Sequence, residues 1–410
     1  MTSTVYIAKS VYGGDGLGRL GDGRVVFVPG AFAGESVKAE VVGEKRRYVN
    51  ARLVEVVEPS AERIDGGAVA GIPGCVYANL SATGETEAKR QQLADALERA
   101  RLAVPGGVGA PEEGVPKDVE AMLHYRNKAS YHFGRKGGGW VMGYRSEPGH
   151  EIVDVTDDPL VVREINAALP EIRRSVFALL ANGAPAVRRD IEQKGRLTVR
   201  FSRRTGVKWW VGDAPRDVVI KEETAGRVFE VPSDGFYQVN PAVGEQLVKA
   251  VCADYAAHRA AAPHVLDLYC GVGVFGLCCR GKGDAARLTG VESGRLAVDF
   301  ARRNAAAQGV QATFFAEQTV LALKRRALAP DARTTVIVDP PRGGMEPGVA
   351  KALVRSDAAR ILSVSCDPAT LVRDLRELCT VFEIEKVNWF NMFPRTARFE
   401  TLVVLRRRLR

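Results

Sequence analysis

The chain lacks the features that mark exported, membrane or repeat proteins. Its seven cysteines form no Cys-x-x-Cys pair, and their odd number and irregular spacing do not suggest a disulfide framework. No apolar run reaches the length of about 18 residues that indicates a membrane span, and the segment Met1-Thr-Ser-Thr-Val-Tyr-Ile7 does not resemble a signal peptide. Internal repeats and low-complexity tracts are also missing. We therefore expect a cytoplasmic protein with no membrane partner.

Length and charge point to several domains and a polyanionic partner. A chain of 410 residues with 46% hydrophobic content can bury more than one core, and we expect three domains. The formal net charge of +9 favours binding to nucleic acid, although basic enzymes that never touch nucleic acid also exist. We expect a monomer.

Residues 1–60 carry the pattern of a small β-barrel. Short β-segments alternate with glycine-rich turns such as Gly13-Gly-Asp-Gly16. The basic segment Lys45-Arg-Arg-Tyr48 suits contacts with RNA phosphates and bases. A hairpin tip with solvated charges explains that segment equally well. The predicted strands cover residues 5–9, 24–28, 36–42 and 51–57.

Residues 61–235 indicate an α+β domain that follows a loop. A helix is predicted over residues 86–102, and strands are predicted at 129–134, 140–144, 197–202 and 207–211. Residues 188–227 hold eleven Lys or Arg against six Asp or Glu, with Trp209 and Trp210 among them. Cations beside aromatic rings suit an RNA strand. A twisted sheet with one core tryptophan is the alternative.

Residues 236–410 alternate β and α segments, which predicts a Rossmann-like, doubly wound and mainly parallel sheet. The predicted strands are 264–269, 287–291, 335–339 and 360–365, and the predicted helices lie near 241–257, 294–308, 347–354 and 368–379. The fold class predicted for the whole chain is therefore α/β, with a central α+β domain and an N-terminal barrel.

A glycine-rich turn inside this last domain predicts a nucleotide-like cofactor. Gly271-Val-Gly-Val-Phe-Gly276 matches G-x-G-x-x-G between a strand and a helix, and Glu292 ends the next strand. Binding sites for NAD and for S-adenosylmethionine both show that pattern. Asp267 in the first strand and Asp339-Pro-Pro-Arg342 at the end of a later strand favour methyl transfer to a planar base over hydride transfer.

Cys366 is the candidate nucleophile, because it lies where the apolar segment 361–365 runs into a proline turn. A cysteine in such a place is often a packed hydrophobic residue. Carbon 5 of a pyrimidine, however, is methylated only after a thiolate has added to C6, and a base must then remove the C5 proton. Glu400 suits the second task. Its alternative is a surface carboxylate at the head of the last strand.

Several motifs resemble the RNA 5-methyluridine methyltransferases, the S-adenosylmethionine-dependent uracil-C5 enzymes of rRNA and tRNA. The resemblance covers nearly the whole chain, and Ser365-Cys-Asp-Pro-Ala-Thr370 is its most specific part. The other matching segments are Tyr12-Gly-Gly-Asp-Gly-Leu-Gly18 and Val26-Phe-Val-Pro-Gly30, which resemble the accessory TRAM barrel, Tyr125-Arg-Asn-Lys-Ala129 in the central domain and Phe236-Tyr-Gln-Val-Asn240 at the start of the catalytic domain.

The resemblance implies roles for particular residues. Cys366 would be the nucleophile and Glu400 the base, and the partner would be RNA. The barrel favours rRNA over tRNA, and the modified uridine is not specified. The alternatives are a catalytically silent RNA-binding protein and a methyltransferase that acts on a base nitrogen. The residues that would contact S-adenosylmethionine are Gln238, Tyr269, Gly271, Gly273, Glu292, Gln318 and Asp339.

The chain departs from the family pattern in three places. Only Cys75 remains of three closely spaced cysteines that hold a [4Fe–4S] cluster in many relatives, so we expect no cluster. Val274 replaces a polar residue beside the glycine turn. Arg395 and Arg398 stand where two histidines are common, and they are expected to lower the pKa of Glu400 and hold it ionised.

Overall fold

The computed structural model describes residues 2–146, 151–184, 186, 189, 191, 195–281, 283–325 and 328–408. Its N-terminal part is a closed five-stranded barrel with the strand order β1-β2-β3-β5-β4, as the sequence predicts. The strands are β1 (Thr2–Ser10), β2 (Gly16–Arg19), β3 (Val25–Val28), β4 (Ser36–Glu44) and β5 (Tyr48–Glu58).

Strand β2 was not predicted, because its glycines were interpreted as turn residues. The structure explains why glycine occupies these positions. A Cβ atom on Gly16 would lie 2.6 Å from the carbonyl oxygen of Ala31, and one on Gly18 would lie 2.5 Å from that of Tyr6. Both glycines therefore permit close backbone approach inside the small barrel.

A helix and a second sheet follow the barrel. Helix α1 (Ala82–Arg99) starts at Ser81, whose side chain accepts a hydrogen bond from the Gly84 N–H. The sheet has the order β10-β9-β6-β7-β8. Its elements are β6 (Lys128–Lys136), β7 (Gly139–Arg145), β8 (Ile152–Asp154), α2 (Arg163–Asn182), β9 (Arg196–Ser202) and β10 (Gly206–Val211).

The two tryptophans of β10 point to opposite faces of this sheet. Trp209 is 39% exposed, whereas Trp210 is buried. One ring is therefore available to a partner and the other belongs to the core. The first part of the basic stretch, including residues 188, 190 and 192–194, lies outside the described residues.

The hairpin of β11 (Val219–Thr224) and β12 (Arg227–Pro232) packs against the last part of the chain. Its buried side chains Ile220, Phe229 and Val231 share a core with the helices that flank the C-terminal sheet. The hairpin thus belongs structurally with the residues that follow it, although it precedes the predicted boundary at 235.

The C-terminal sheet has the order β15-β14-β13-β16-β17-β19-β18, with β13 to β17 parallel and β18 and β19 antiparallel. Its elements are α3 (Pro241–His258), β13 (His264–Leu268), α4 (Val274–Cys279), β14 (Leu288–Glu292), α5 (Arg295–Gln308), β15 (Thr313–Ala316), α6 (Thr319–Ala322), β16 (Thr334–Val338), α7 (Val349–Arg355), β17 (Arg360–Ser365), α8 (Pro368–Leu378), β18 (Phe382–Phe390) and β19 (Glu400–Arg407).

This strand order brings the candidate residues to one edge of the sheet. The order reverses between β13 and β16, and ligands of open α/β sheets bind in the crevice at such a switch point. Asp339 and Cys366 directly follow β16 and β17. Because β19 runs antiparallel to β17, its first residue, Glu400, lies at the same edge. Among the described residues, no helix is long and apolar enough to cross a membrane.

Candidate active site

Cys366 lies in a tightly bonded turn between β17 and α8. The side chain of Asp367 caps α8 by accepting hydrogen bonds from the N–H groups of Ala369 and Thr370, each at 3.0 Å. The Asp367 N–H donates to Ser365 Oγ at 3.3 Å. The thiol itself is partly exposed. The sequence therefore fixes the backbone around a thiol that a substrate can reach.

Glu400 lies beside this turn on the neighbouring strand. Ser365 pairs with Thr401 in the antiparallel ladder between β17 and β19. The β17–β19 ladder ends at that pair, so Cys366 follows the last residue of β17 and Glu400 precedes its partner Thr401. The Glu400 carboxylate is near enough to Cys366 to raise the pKa of its thiol. Glu400 is only 5% exposed. The structure thus brings together two residues that the sequence separates by more than thirty positions.

Burial and neighbouring carboxylates raise the pKa of both groups. Burial, Glu400 and Asp339 raise the pKa of the Cys366 thiol to about 12, while Arg342 and Arg398 act in the opposite direction. Burial raises the pKa of Glu400 well above its usual range, and Asp339 adds to that effect. Two anions in this partly dry space repel each other. The free site consequently favours a neutral thiol and a neutral carboxyl.

The expected lowering of the Glu400 pKa by Arg395 and Arg398 is wrong. Arg398 does oppose the rise, but burial outweighs it. Arg395 faces elsewhere: it is fully buried, and its guanidinium donates to Glu85 Oε2 at 2.9 Å and to three backbone carbonyls of residues 77–80. The two arginines were treated alike because the sequence does not show which carboxylate each one meets.

Asp267, a residue of β13, holds the glycine-rich turn in place. Asp267 Oδ2 accepts a hydrogen bond from the Gly276 N–H at 2.8 Å, and a Cβ atom on Gly276 would lie 2.9 Å from that oxygen. Burial raises the pKa of Asp267 to about 7. Gly271 and Gly273 have φ values of +53° and +88°. The sequence placed Asp267 in this strand but did not predict its role as an anchor.

Glu292 ties the ends of two strands together. One of its carboxylate oxygens accepts from the Gly294 N–H at 2.7 Å and the other from the Gly271 N–H at 3.3 Å. Beyond β15, Gln318 caps α6 and is exposed, next to Glu317, whose N–H donates to the Glu292 carbonyl at 3.0 Å. Glu292, at the end of β14, and Gln318, just after the neighbouring strand β15, therefore lie at the same edge of the sheet.

Four of the predicted cofactor residues line one cavity: Gln238, Tyr269, Gly271 and Asp339. Gln238 Oε1 is buried and has no hydrogen-bond partner among the described residues, so an acceptor is free to meet a ligand N–H or O–H. A Cβ atom on Gly271 would meet open space. Val274, which replaces a polar residue, also lines the cavity. These groups fit a nucleoside-type ligand.

Asp339 and Tyr269 line the same cavity. Burial raises the pKa of Asp339 to about 7. Tyr269 has a φ of +61°, and its hydroxyl accepts a hydrogen bond from the Glu346 N–H at 3.1 Å. A strained tyrosine held in place by a backbone donor is a feature of functional sites. The Tyr269 side chain is therefore held against the cavity that it lines.

Cys75 lies in surroundings that suit a buried apolar residue. It packs with Val69, Ala78 and Leu160, and burial raises the pKa of its thiol to about 12. In the part of the chain that the structure describes, no group of three or more His, Cys, Asp or Glu side chains could hold a metal ion. The residues around Cys75 do not fit a four-thiolate cluster.

Models of two known protein families match parts of this chain. A model of the tRNA (uracil-5-)-methyltransferases matches residues 216–408, and a TRAM domain model matches residues 2–54. The crystal structure of the Pyrococcus abyssi tRNA (uracil-54, C5)-methyltransferase in complex with S-adenosyl-L-homocysteine aligns with a TM-score of 0.70 at 22% identity, over 98% of this chain and 99% of that one. That likeness establishes the fold.

Relatives over the full length establish the family. An RNA methyltransferase of Thermotoga maritima is 30% identical, with 99% of each chain covered. The 23S rRNA (uracil(1939)-C(5))-methyltransferase RlmD of Klebsiella pneumoniae is also 30% identical, over 97% of this chain and 94% of the relative. The chain therefore belongs to the family of S-adenosylmethionine-dependent RNA (uracil-C5) methyltransferases.

Proposed function

We propose that this protein transfers a methyl group from S-adenosylmethionine to C5 of one uridine in RNA, through a covalent bond between Cys366 and C6 of the base, with Glu400 as the general base. The observation that carries the proposal is the adjacency of the two side chains across β17 and β19. A methyltransferase acting on a base nitrogen needs no thiol at this position. A silent RNA-binding protein needs neither group.

The chain's own residues account for the proton and electron movements. The Cys366 thiol loses its proton to solvent, the thiolate Sγ adds to C6 of uracil to form an S–C6 bond, and the C5–C6 electron pair moves to C5 and makes it nucleophilic. After C5 has been methylated, Glu400 removes its proton, the C5–C6 double bond forms again and the S–C6 bond breaks. Arg342 and Arg398 favour the anionic forms that these steps require.

The cofactor supplies the electrophilic methyl group on its sulfonium. We propose that Gln238, Tyr269, Gly271 and Asp339 hold it in the cavity they line, because an unpartnered buried acceptor and an open glycine edge both face that space. Glu292 at the end of β14 is placed to accept hydrogen bonds from ribose hydroxyls. Gly273 shapes the turn, and Gln318 would contact the ligand from the neighbouring strand.

RNA is the proposed partner, and rRNA the favoured class. Tyr6, Tyr48 and the basic segment 45–47 are exposed on the barrel, and Trp209 is exposed on the central sheet. Rings and cations on a surface suit single-stranded RNA. The RlmD relative, which is named for 23S rRNA, aligns with 97% of this chain and over 94% of its own length. We propose that residues 1–60 and 61–235 bind the RNA that residues 236–410 methylate.

Nucleoside mass spectrometry tests the proposal in a strain that lacks the gene. We expect 5-methyluridine to disappear from one position of 23S rRNA and to return when the wild-type gene is restored, but not with Cys366→Ala. If 5-methyluridine were lost from tRNA alone, the substrate would be tRNA instead of rRNA. Unchanged 5-methyluridine together with loss of a nitrogen-methylated base would refute the proposed chemistry.

A further inference from the structure

The N-terminal barrel reaches the catalytic edge through the side chain of Tyr12. This residue follows β1 and is 354 positions away from Cys366 in sequence. Its hydroxyl donates a hydrogen bond to the Cys366 carbonyl oxygen at 3.4 Å. The Asp367 carboxylate is near this hydroxyl and adds to the rise in its pKa that burial causes. Tyr12 therefore contacts the backbone of the turn that carries the thiol.

The ring of Tyr12 contacts the residue before Glu400. It packs edge-to-face on Phe399, with ring centroids 6.0 Å apart and an interplanar angle of 87°. Phe399 in turn packs on Trp389 of β18 with centroids 5.7 Å apart. Aromatic pairs of this kind have a preferred geometry. One side chain thus touches the immediate neighbours of both residues proposed to act on the base.

The turn that carries Tyr12 is itself held in place. Gln92 of α1 donates from Nε2 to the Val11 carbonyl at 3.1 Å and to the Tyr77 hydroxyl at 2.8 Å. Gly14 donates its N–H to the same Val11 carbonyl at 3.0 Å. Burial raises the pKa of Tyr12 to about 12, so its hydroxyl keeps its proton at neutral pH and remains a donor.

We infer that Tyr12 is a positioning residue of the methyl transfer reaction, through which the barrel sets the Cys366 turn and the Phe399 ring. The inference rests on the proposed function. An error of about 1 Å in the placement of a reacting group can lower a rate by as much as 10²-fold. Tyr12 belongs to a domain that is otherwise remote from the chemistry, so the seating of the barrel is coupled to the geometry of the thiol.

The two parts of the side chain make separable contributions. The hydroxyl bond is long, so its loss in Tyr12→Phe should slow adduct formation by only about 3–10-fold. Tyr12→Leu removes the ring as well and should slow the reaction by about 10–100-fold, because Phe399 loses its neighbour. Neither substitution should alter the affinity for RNA by more than about twofold, since Tyr12 is partly buried and its ring and hydroxyl contact Phe399 and Cys366.

The test measures covalent trapping in single-turnover experiments. The proteins compared are wild type, Tyr12→Phe, Tyr12→Leu and the control Val54→Ala, which changes a residue of the same barrel that is 53% exposed. Each protein is mixed in excess with S-adenosylmethionine and a 5-fluorouridine-substituted transcript of 23S rRNA. The rate of adduct formation is read from denaturing gels. RNA affinity and the thermal unfolding midpoint are measured on the same samples.

The expected result is a graded loss of trapping rate, from Tyr12→Phe to Tyr12→Leu, at unchanged RNA affinity and with Val54→Ala equal to wild type. A Tyr12→Phe variant that traps at the wild-type rate would overturn the inference and leave the proposed function intact. So would a loss that disappears at saturating RNA, because it would make Tyr12 a binding residue. No adduct with the wild-type protein would overturn the proposed function and this inference with it.

Discussion

Arg395 and Arg398 lie three residues apart in the loop before β19, yet they serve different regions of the molecule. Arg395 is buried and fully engaged by Glu85 and by the backbone of residues 77–80. Arg398 acts with Arg342 on Cys366 and Glu400, but the two cations do not offset the burial that raises both pKa values. Paired buried charges hold a structure together, whereas buried groups left without a counter-charge have shifted pKa values that chemistry can use.

The region around Arg395 ties the N-terminal half of the chain to the catalytic loop. Lys89 Nζ donates to Glu85 Oε1 and to Asn391 Oδ1, each at 2.7 Å, and both residues are buried. Glu85 also accepts from the Arg395 N–H at 2.9 Å. Helix α1 thereby fixes the loop that leads into Glu400. The contrast between this paired region and the catalytic edge leads to five predictions.

The largest effect is expected at the thiol. Cys366→Ala should abolish methylation, because no other group can add to C6 of uracil, while S-adenosylmethionine binding measured by calorimetry stays within about twofold of wild type. The control is Cys379→Ala, which removes a partly exposed thiol at the end of α8. Undiminished turnover by Cys366→Ala would rule out the covalent mechanism.

Glu400→Gln should block the last step instead of the first. Addition of Cys366 and methyl transfer need no proton acceptor at C5, so the variant should accumulate a methylated protein–RNA adduct, with turnover about 10²–10⁴-fold lower. The adduct is detected on denaturing gels with methyl-tritiated cofactor. Normal turnover without an adduct would mean that another group or a water molecule takes the proton.

Arg395→Met should destabilise the protein, whereas Arg398→Met should not. Removing Arg395 leaves Glu85 with Lys89 as its only charged partner, and breaking a buried pair costs about 3–5 kcal/mol. Arg398→Met should change the free energy of unfolding by no more than about 0.5 kcal/mol. Urea unfolding measures both. Equal stabilities would show that the two arginines do not differ in the way we describe.

Arg398→Met should move the pH dependence of adduct formation to higher pH. Adduct formation needs the thiolate, and the pKa of Cys366 is raised to about 12, so the wild-type rate should increase with pH between about 6 and 9. Loss of a cation disfavours the anion and raises that pKa further, so the variant should be slower at each pH. Arg355→Met, an exposed change on α7, is the control. A profile displaced to lower pH would contradict this electrostatic role.

Metal removal should have no effect. Gly66 and Ile72 occupy the positions where cluster ligands would lie, and Cys75 packs with apolar side chains. Treatment with an iron chelator should therefore leave the unfolding midpoint and the activity unchanged. Stoichiometric iron and an absorbance band at about 400 nm in anaerobically purified protein would show that a cluster forms from other ligands.

The sequence predicts the features that depend on neighbouring residues in the chain. The barrel pattern, the glycine turn before α4, the places of Asp339 and Cys366 after their strands and the place of Glu400 at the head of β19 all follow from local motifs. Because parallel strands share their carboxyl edge, that order was enough to expect one site. The short glycine-containing strand β2 was missed because its glycines serve close packing instead of turns.

Features that depend on distant partners could not be predicted. Glu85 and Arg395 are 310 residues apart, and Tyr12 and Cys366 are 354 apart. No periodicity or motif records such contacts. The sign of the Glu400 pKa shift was wrong for the same reason, since it depends on how deeply the carboxyl is buried and on Asp339 from another strand.

The most direct test of the central claim is to locate the covalent bond. Wild-type protein is incubated with S-adenosylmethionine and 5-fluorouridine-substituted RNA, digested with ribonuclease and trypsin, and analysed by tandem mass spectrometry. The account predicts a methylated fluorouridine attached to Cys366 in the tryptic peptide of residues 361–373. Attachment to another cysteine, or methylated RNA without any attached peptide, would contradict it.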